Sequence, residues 1–426
     1  MCRQDAAWRI LIWLGTSVFS RLGLPPLWLR INMKNLRVTG LTLGLSIALS
    51  FVAACQSWPE TPDYGRPLPL NASALLALEP GESPPDLRAT FQERRSILEP
   101  LQRSIDWTER DSSRKYFPIA SITHDRALRS LQRFKELLES STTHNEFQAT
   151  IEREFDFYKS AGWDGAGGGV LFTGYYTPTL EGSRELTTTF RYPLYALPTD
   201  LVKGHEGEIL GQQTEAGVRP YPTRRAIEAG GLLKGRGLEL VWLSDPLDAY
   251  IAHVNGSAVI RLRDGSEYRL GYAGKNGRPY SSLGQALVAD GRLDADEVNM
   301  VTLRDWMDRN PELAQAYLGR NESFVFFTPI DGDPRGSLNV EVAAERSLAT
   351  DKHLFPRGAM VFVDATVPSR SGHPAPYRKL MFDQDTGGAI RTAGRADIYL
   401  GVGDEAELRA GSTRSVGQMT YMFLAE

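Results

Sequence analysis

Two aspartates near the C-terminus stand where apolar runs give way to glycine. Asp385 lies in Phe382-Asp383-Gln384-Asp385-Thr386-Gly387-Gly388-Ala389-Ile390. Asp397 follows Gly394-Arg395-Ala396 and opens Asp397-Ile398-Tyr399-Leu400-Gly401-Val402-Gly403. Glycines let the backbone turn sharply and let a bulky ligand approach. A carboxyl at a strand edge beside such loops is partly buried. Burial raises its pKa, as a general acid working near neutral pH requires. On spacing alone, an aspartate before Thr-Gly-Gly is more often a turn former than a catalyst.

Two further clusters would suit a sugar polymer. Gly174-Tyr175-Tyr176-Thr177-Pro178 puts paired tyrosines beside a turn. His253-Val254-Asn255-Gly256-Ser257 and Gly271-Tyr272-Ala273-Gly274-Lys275-Asn276-Gly277-Arg278-Pro279-Tyr280 mix aromatics, amides, a lysine and glycines. Sugar C–H faces pack on aromatic rings, while amides and charges bond hydroxyl and acetamido groups. Tyr175 and Tyr272 read equally as core residues at hairpin ends. His253, placed on a strand, reads more readily as a hydrogen-bonded structural residue than as a catalyst.

These residues need elements to position them. From Leu87 to about Ala161 apolar residues return every three or four positions, as in Ala127, Leu131, Phe134 and Leu138, so this region predicts helices. Leu98-Glu99-Pro100 and Tyr116-Phe117-Pro118 punctuate it. Short strands follow at 170–176, 238–243, 258–262, 267–272, 323–327, 359–363, 379–382 and 397–400. Arg263-Asp264-Gly265-Ser266 is a hairpin turn. Helices are expected at 282–289 and 302–306. Many short strands at turn-rich spacing suggest a barrel, not a doubly wound sheet.

Composition narrows the function. The chain has 426 residues, 42% of them hydrophobic and 23% charged, which excludes a largely disordered or coiled-coil protein. Its net charge of −4 argues against nucleic acid as a partner. Cys2 and Cys55 are the only cysteines, which leaves the body without a disulfide, a thiol nucleophile or a cysteine metal site. The six histidines form no HxxxH pair, and no GxGxxG or P-loop opens a helix. No metal and no cofactor is therefore expected.

The N-terminal segment reads as an address. Met33-Lys34-Asn35-Leu36-Arg37 is basic, and the 17 residues Val38 to Ala54 carry no charge. Val52-Ala53-Ala54-Cys55 closes the run with small residues, the form of a secretory signal. The span is short for a transmembrane helix, which needs roughly 20 apolar residues. The cysteine resembles the lipobox of bacterial lipoproteins, which makes Cys55 the expected lipidation site and the lipid the membrane anchor. Gln56 after it, by analogy with enteric bacteria, favours the outer membrane, facing the periplasm. Residues 56–86, rich in Pro, Gly and Ser, read as a tether.

Seven segments in order carry a resemblance: Phe172–Pro178, Tyr221–Arg224, Ala252–Ser257, Gly271–Gly277, Ser323–Phe327, Asp385–Ile390 and Asp397–Gly403. Together the chain resembles the membrane-bound lytic murein transglycosylase A family. The resemblance implies a mainly β fold with N-terminal helices, a double-psi β-barrel with a second β-rich domain inserted. The implied organisation is 1–54 extension and signal, 55–86 tether, 87–192 helices and first barrel strands, 193–321 inserted substrate-binding domain, and 322–426 barrel completion with the three-aspartate region. It also implies cleavage of the β-1,4 bond between N-acetylmuramic acid and N-acetylglucosamine, with 1,6-anhydromuramic ends. Peptidoglycan strands would be the partner, Asp397 the single acid/base and Asp385 a supporting carboxylate. Substrate contacts are expected from Tyr175, Tyr176, His253, Asn255, Tyr272, Lys275, Asn276, Thr386, Gly387 and Gly388. Two alternatives stay open: a non-catalytic murein-binding lipoprotein, and a glycoside hydrolase using both aspartates.

Overall fold

Strand Val170–Thr177 is the hinge of the architecture, because it lies in one sheet and runs through Pro178 directly into a strand of another. The computed structural model describes residues 61–204, 208–295 and 297–426. Cys55 and the segment 1–54 lie outside the described residues. Pro62–Glu426 forms one compact unit, and Met1–Thr61 is a separate one in which only Thr61 is described. No helix among the described residues is long and apolar enough to cross a membrane.

The first sheet closes on itself. Arg414–Leu424 pairs antiparallel with Met360–Pro368, which pairs antiparallel with Pro374–Asp385. The short strand Ser347–Ala349 then lies parallel to Pro374–Asp385 and antiparallel to Arg395–Val402. Arg395–Val402 pairs parallel with Val170–Thr177, which returns to Arg414–Leu424. Closure removes the sheet edges. Alternation puts Phe172, Val361, Val363, Ile398, Leu400, Met419 and Tyr421 inside. The opposite residues of Val170–Thr177 and Arg395–Val402, from Thr173 and Arg395 onward, are left for the site.

Close packing fixes this strand. A Cβ on Gly174 would stand 2.7 Å from Leu400 Cδ1 and 2.8 Å from Ala410 Cα of helix Asp404–Ser412. Gly174→Ala is therefore expected to cost about 1–3 kcal/mol through overpacking. Urea unfolding checks this, and an unchanged midpoint would show that the helix yields freely.

Helices cover one outer face of the barrel. Leu101, Ile105, Phe134, Leu137, Phe147 and Ile151 pack against Phe157, Met360, Phe362, Leu380, Phe382 and Met422. Helix His124–Ser140 begins where the Thr123 hydroxyl accepts from the Arg126 amide at 3.2 Å. Two sequence expectations change here. Pro100 does not end a helix but lies within Arg94–Thr108. There its missing N–H is offset by burial, and its carbonyl accepts from Gln384 Nε2 at 2.8 Å. Phe155–Ser160 is a strand, since Phe155 and Phe157 bury alternately against the barrel. The expected tether supplies its partner, Leu75–Ala77.

The second sheet runs Val325–Pro329, Glu267–Lys275, Ala258–Leu262, Thr179–Ser183, Glu239–Leu243 and Tyr192–Tyr195. A bridge between Ala196 and Phe327 draws its ends together. Its core holds Leu180, Val241, Leu243, Ile260, Leu270 and Phe327. The second sheet extends beyond the expected domain edges, 193 and 321. Thr179–Ser183, Tyr192 and Val325–Pro329 belong to this sheet, because pairing and not turn chemistry sets where the chain leaves the barrel.

Candidate active site

The register places both aspartates beside one residue. Ala349 pairs with Asp385 on one side and with Asp397 on the other. Two strand spacings then separate their backbones by about 10 Å. Both carboxyls are half-buried, and burial raises the pKa of each.

Their hydrogen-bond environments differ. Asp385 accepts three bonds of 2.8 Å, from the Tyr175 hydroxyl and from the Ser337 and Thr386 amides. All three are donors, so they favour the ionised form and oppose burial. Asp397 accepts from the Thr173 hydroxyl, its register partner, and Arg395 Nη2 approaches that hydroxyl at 3.3 Å. A hydroxyl can reverse its role, so this partner tolerates a protonated carboxyl. After burial, the Thr173 hydroxyl and then Arg395 pull the Asp397 pKa down, while the charge of Asp385 pushes it up. Burial thus raises both groups, and what separates them is their partners, three donors on Asp385 and one hydroxyl on Asp397.

The strand carrying Asp385 is anchored from behind. Asp383 is fully buried and is held by Lys352 Nζ, Thr350 Oγ1 at 2.7 Å and Tyr421 OH at 2.8 Å. Between the aspartates, Gln384 turns the other way, donating to Ser104 Oγ at 2.9 Å and accepting from Ser347 Oγ at 2.7 Å.

A cavity of about 1020 Å³ opens between the closed sheet and the second sheet. Asp385, Thr386, Gly387, Gly388, Tyr175, His253, Asn255, Tyr272 and Lys275 line it, bringing together most of the residues singled out from the sequence. Asp397 is not among its lining residues. It lies close to two lining residues, Tyr175 and Tyr280, where its charge adds to burial in raising the pKa of their hydroxyls. Tyr272 is half exposed on the cavity wall and Tyr175 is half-buried within it, so neither is a plain core residue.

Two of the residues singled out from the sequence do not line the cavity. Tyr176 points into the barrel core, because it alternates with Tyr175 along the strand. Asn276 is buried with its amide fully used, donating to the Pro222 and Glu322 carbonyls and accepting from the Phe324 amide.

His253 lies on helix Pro246–Asn255, not on a strand. Asp245 caps that helix through the Leu247 amide at 2.7 Å, and Gly256 ends it at φ 73°. His253 Nδ1 accepts from the Val325 amide at 3.3 Å, which leaves the proton on Nε2. Burial and the nearby Arg224 hold its pKa well below the usual imidazole range, so it is neutral. Nε2 has no partner among the described residues and belongs to a residue lining the cavity. Asn255 ties this helix to the barrel by accepting from the Tyr176 amide at 3.4 Å.

Thr173, Ser337, Arg395 and Arg391 were not singled out from the sequence as site residues, whereas Tyr280 closed one of the groove-like clusters. Thr173 stands two residues before Tyr175 and so shares its face of the strand, which was a usable signal. Ser337 reaches Asp385 only through a long-range loop contact.

Comparison with known proteins places these features. The model of the MltA specific insert domain matches residues 171–328, and that of the 3D domain matches residues 346–423. The membrane-bound lytic murein transglycosylase A of Vibrio cholerae is 32% identical over 258 residues, covering 59% of this chain and 65% of that one. That of Escherichia coli K12 is 32% identical over 257 residues with the same coverages. The chain thus spans just under two thirds of the length of these relatives. The crystal structure of a membrane-bound lytic murein transglycosylase from Agrobacterium tumefaciens superposes with a TM-score of 0.66 at 27% identity, covering 82% of this chain and 98% of that one. Escherichia coli MltA with bound chitohexaose gives 0.61 at 24% identity, with coverages of 86% and 97%, a likeness of fold.

Proposed function

The chain belongs to the MltA-type family, and from that premise we propose that it is a lytic murein transglycosylase whose single acid/base is Asp397. Its barrel is then of the double-psi type, and the second sheet, 179–329, is the substrate-binding domain. The observation that carries this reading is the pairing of two carboxyls about one residue, one with three donors and one with a reversible hydroxyl partner.

The chemistry follows from that asymmetry. Neutral Asp397 protonates the oxygen of the β-1,4 bond between N-acetylmuramic acid and N-acetylglucosamine. The C1–O bond breaks, and positive charge develops at C1 of the muramic acid. The carboxylate left on Asp397 takes the proton of that sugar's own C6 hydroxyl, whose oxygen bonds to C1. A 1,6-anhydro ring results, and the acid is regenerated. The tethered hydroxyl has a high effective concentration, so water is not needed as a reactant. Asp385, whose three donors favour its ionised form, stabilises the charge at C1. His253 Nε2–H is a buried donor suited to an acetamido or hydroxyl oxygen.

One observation favours exchanged roles: Asp385, not Asp397, lines the cavity directly. A two-carboxylate hydrolase would use the same pair. Lipid attachment at Cys55 and an outer-membrane location facing the periplasm complete the proposal, supported by the lipobox-like Val52–Cys55 and by relatives named membrane-bound.

The purified chain is expected to release soluble muropeptides from sacculi steadily with time. Binding to sacculi without release would instead identify a murein-binding lipoprotein. Tyr175→Phe removes one donor from Asp385, and a hydrogen bond to a charged group is worth about 1.5–3 kcal/mol. The release rate should then fall about ten-fold or more. An unchanged rate would show that Asp385 needs no positioning by Tyr175.

A further inference from the structure

The charge of the cavity is opposite to that of the chain. The whole protein carries −4, yet the cavity is lined by Arg224, Lys275, Arg278, Arg335 and Arg391 against one carboxylate, Asp385. Three of these cations are already held: Arg224 by Glu228 at 2.8 Å, Arg278 by the Tyr221 carbonyl at 2.7 Å, and Arg335 by the Asn339 carbonyl at 3.2 Å. The Lys275 ammonium has no hydrogen-bond or ion-pair partner among the described residues. Arg391 has only Asp351 at 3.8 Å, a carboxylate that also accepts from the His353 and Thr392 amides.

These two cations approach from opposite walls. Lys275 ends strand Glu267–Lys275 of the second sheet, and Arg391 follows the Gly387-Gly388 turn of the barrel. The walls meet closely there, since a Cβ on Gly388 would lie 3.4 Å from Tyr280 Cβ. Burial, and after it the charge of Arg391, hold the Lys275 pKa below the usual lysine range. Two like charges facing one partly buried space, with Asp351 only a distant partner of Arg391, repel each other, and a ligand that supplies further counter-charge relieves this.

We infer that Lys275 and Arg391 form a carboxylate-binding subsite, so that the site selects glycan strands bearing acidic groups over neutral ones. This rests on the proposed action on murein. Two sources of carboxylate exist on such a strand: the 3-O-lactyl arm of muramic acid where no peptide is attached, and the acidic residues of the stem peptide where one is.

Binding of the full chain in detergent tests it, in an Asp397→Asn background that keeps strands intact. Peptide-free and peptide-bearing strands are each compared with the same strands after their carboxyls are converted to neutral methylamides. Amidation is expected to weaken binding about ten-fold, the scale of one desolvated charge-assisted contact. The strand type that shows the loss identifies the source, lactyl or peptide. Lys275→Gln/Arg391→Gln should bind native strands as weakly as amidated ones and lose nothing more on amidation. Equal binding of native and amidated strands of both types overturns the inference. So does a double variant that still discriminates, or one weakened equally on native and amidated strands. Product release by the wild-type chain is followed separately: charge-blind binding with muropeptide release defeats the subsite alone, whereas absence of release defeats the proposed activity.

Discussion

Asp397→Asn is expected to lower the rate of muropeptide release by about 10³-fold, within the range that positioned proton transfer contributes. Asparagine keeps the shape and still meets the Thr173 hydroxyl, but has no proton to give to a leaving oxygen. Asp385→Asn should act more mildly, because that carboxylate stabilises charge and transfers no proton. The opposite order would assign the acid to Asp385, as its place on the cavity wall would allow. The same variant carries a second signature. Burial raises the Asp397 pKa in the folded state, with the Asp385 charge adding to it. The stability from this group is therefore complete below the unfolded value of about 4, and is lost as pH rises through the folded value. Asparagine does not ionise. Asp397→Asn should melt above the wild type at pH 8, with the gap closing toward pH 4. A gap that is absent, or widest in acid, would show that the carboxyl is not held neutral.

The largest loss of stability is expected at Lys352. Its ammonium meets Asp383 inside the barrel, where both side chains are almost fully buried. Burial lowers the Lys352 pKa, while the Asp383 charge opposes that fall. Lys352→Met leaves the Asp383 carboxylate buried with only Thr350 and Tyr421 as donors. Breaking a buried pair in this way costs about 3–5 kcal/mol. Lys352→Met/Asp383→Asn should recover much of that loss, since no unpaired charge remains. Urea denaturation of the two variants measures both effects. If the single and double variants unfold at the same midpoint, the pair does not stabilise the barrel as a unit.

The elements most legible in the sequence were those whose signals are local. The short apolar run from Val170 is a strand as expected, and Arg263-Asp264-Gly265-Ser266 joins two paired strands as its turn chemistry implied. Asp385 and Asp397 were singled out by their glycine-rich surroundings, but nothing local could show that Ala349 stands between them. That neighbourhood depends on parallel pairing between distant segments, which carries no turn signature. Helix Pro246–Asn255 was legible and was overlooked: Asp245-Pro246 starts it and Gly256 stops it. Asn276 and Lys275 are adjacent and equally polar, yet one is consumed by backbone carbonyls and the other faces the cavity. Only the folded chain separates them. The buried Lys352–Asp383 pair was invisible for the same reason, because charge in a sequence reads as surface until a partner is seen.

The account stands on a sugar closing its own ring without solvent. Murein digested by the purified chain in heavy-oxygen water, followed by mass spectrometry of the released muropeptides, tests this most directly. The predicted product is lighter than a hydrolysed end by one water and carries no heavy oxygen at its muramic terminus. Terminal sugars that take up the label would contradict the account and make the pair Asp385 and Asp397 a hydrolase.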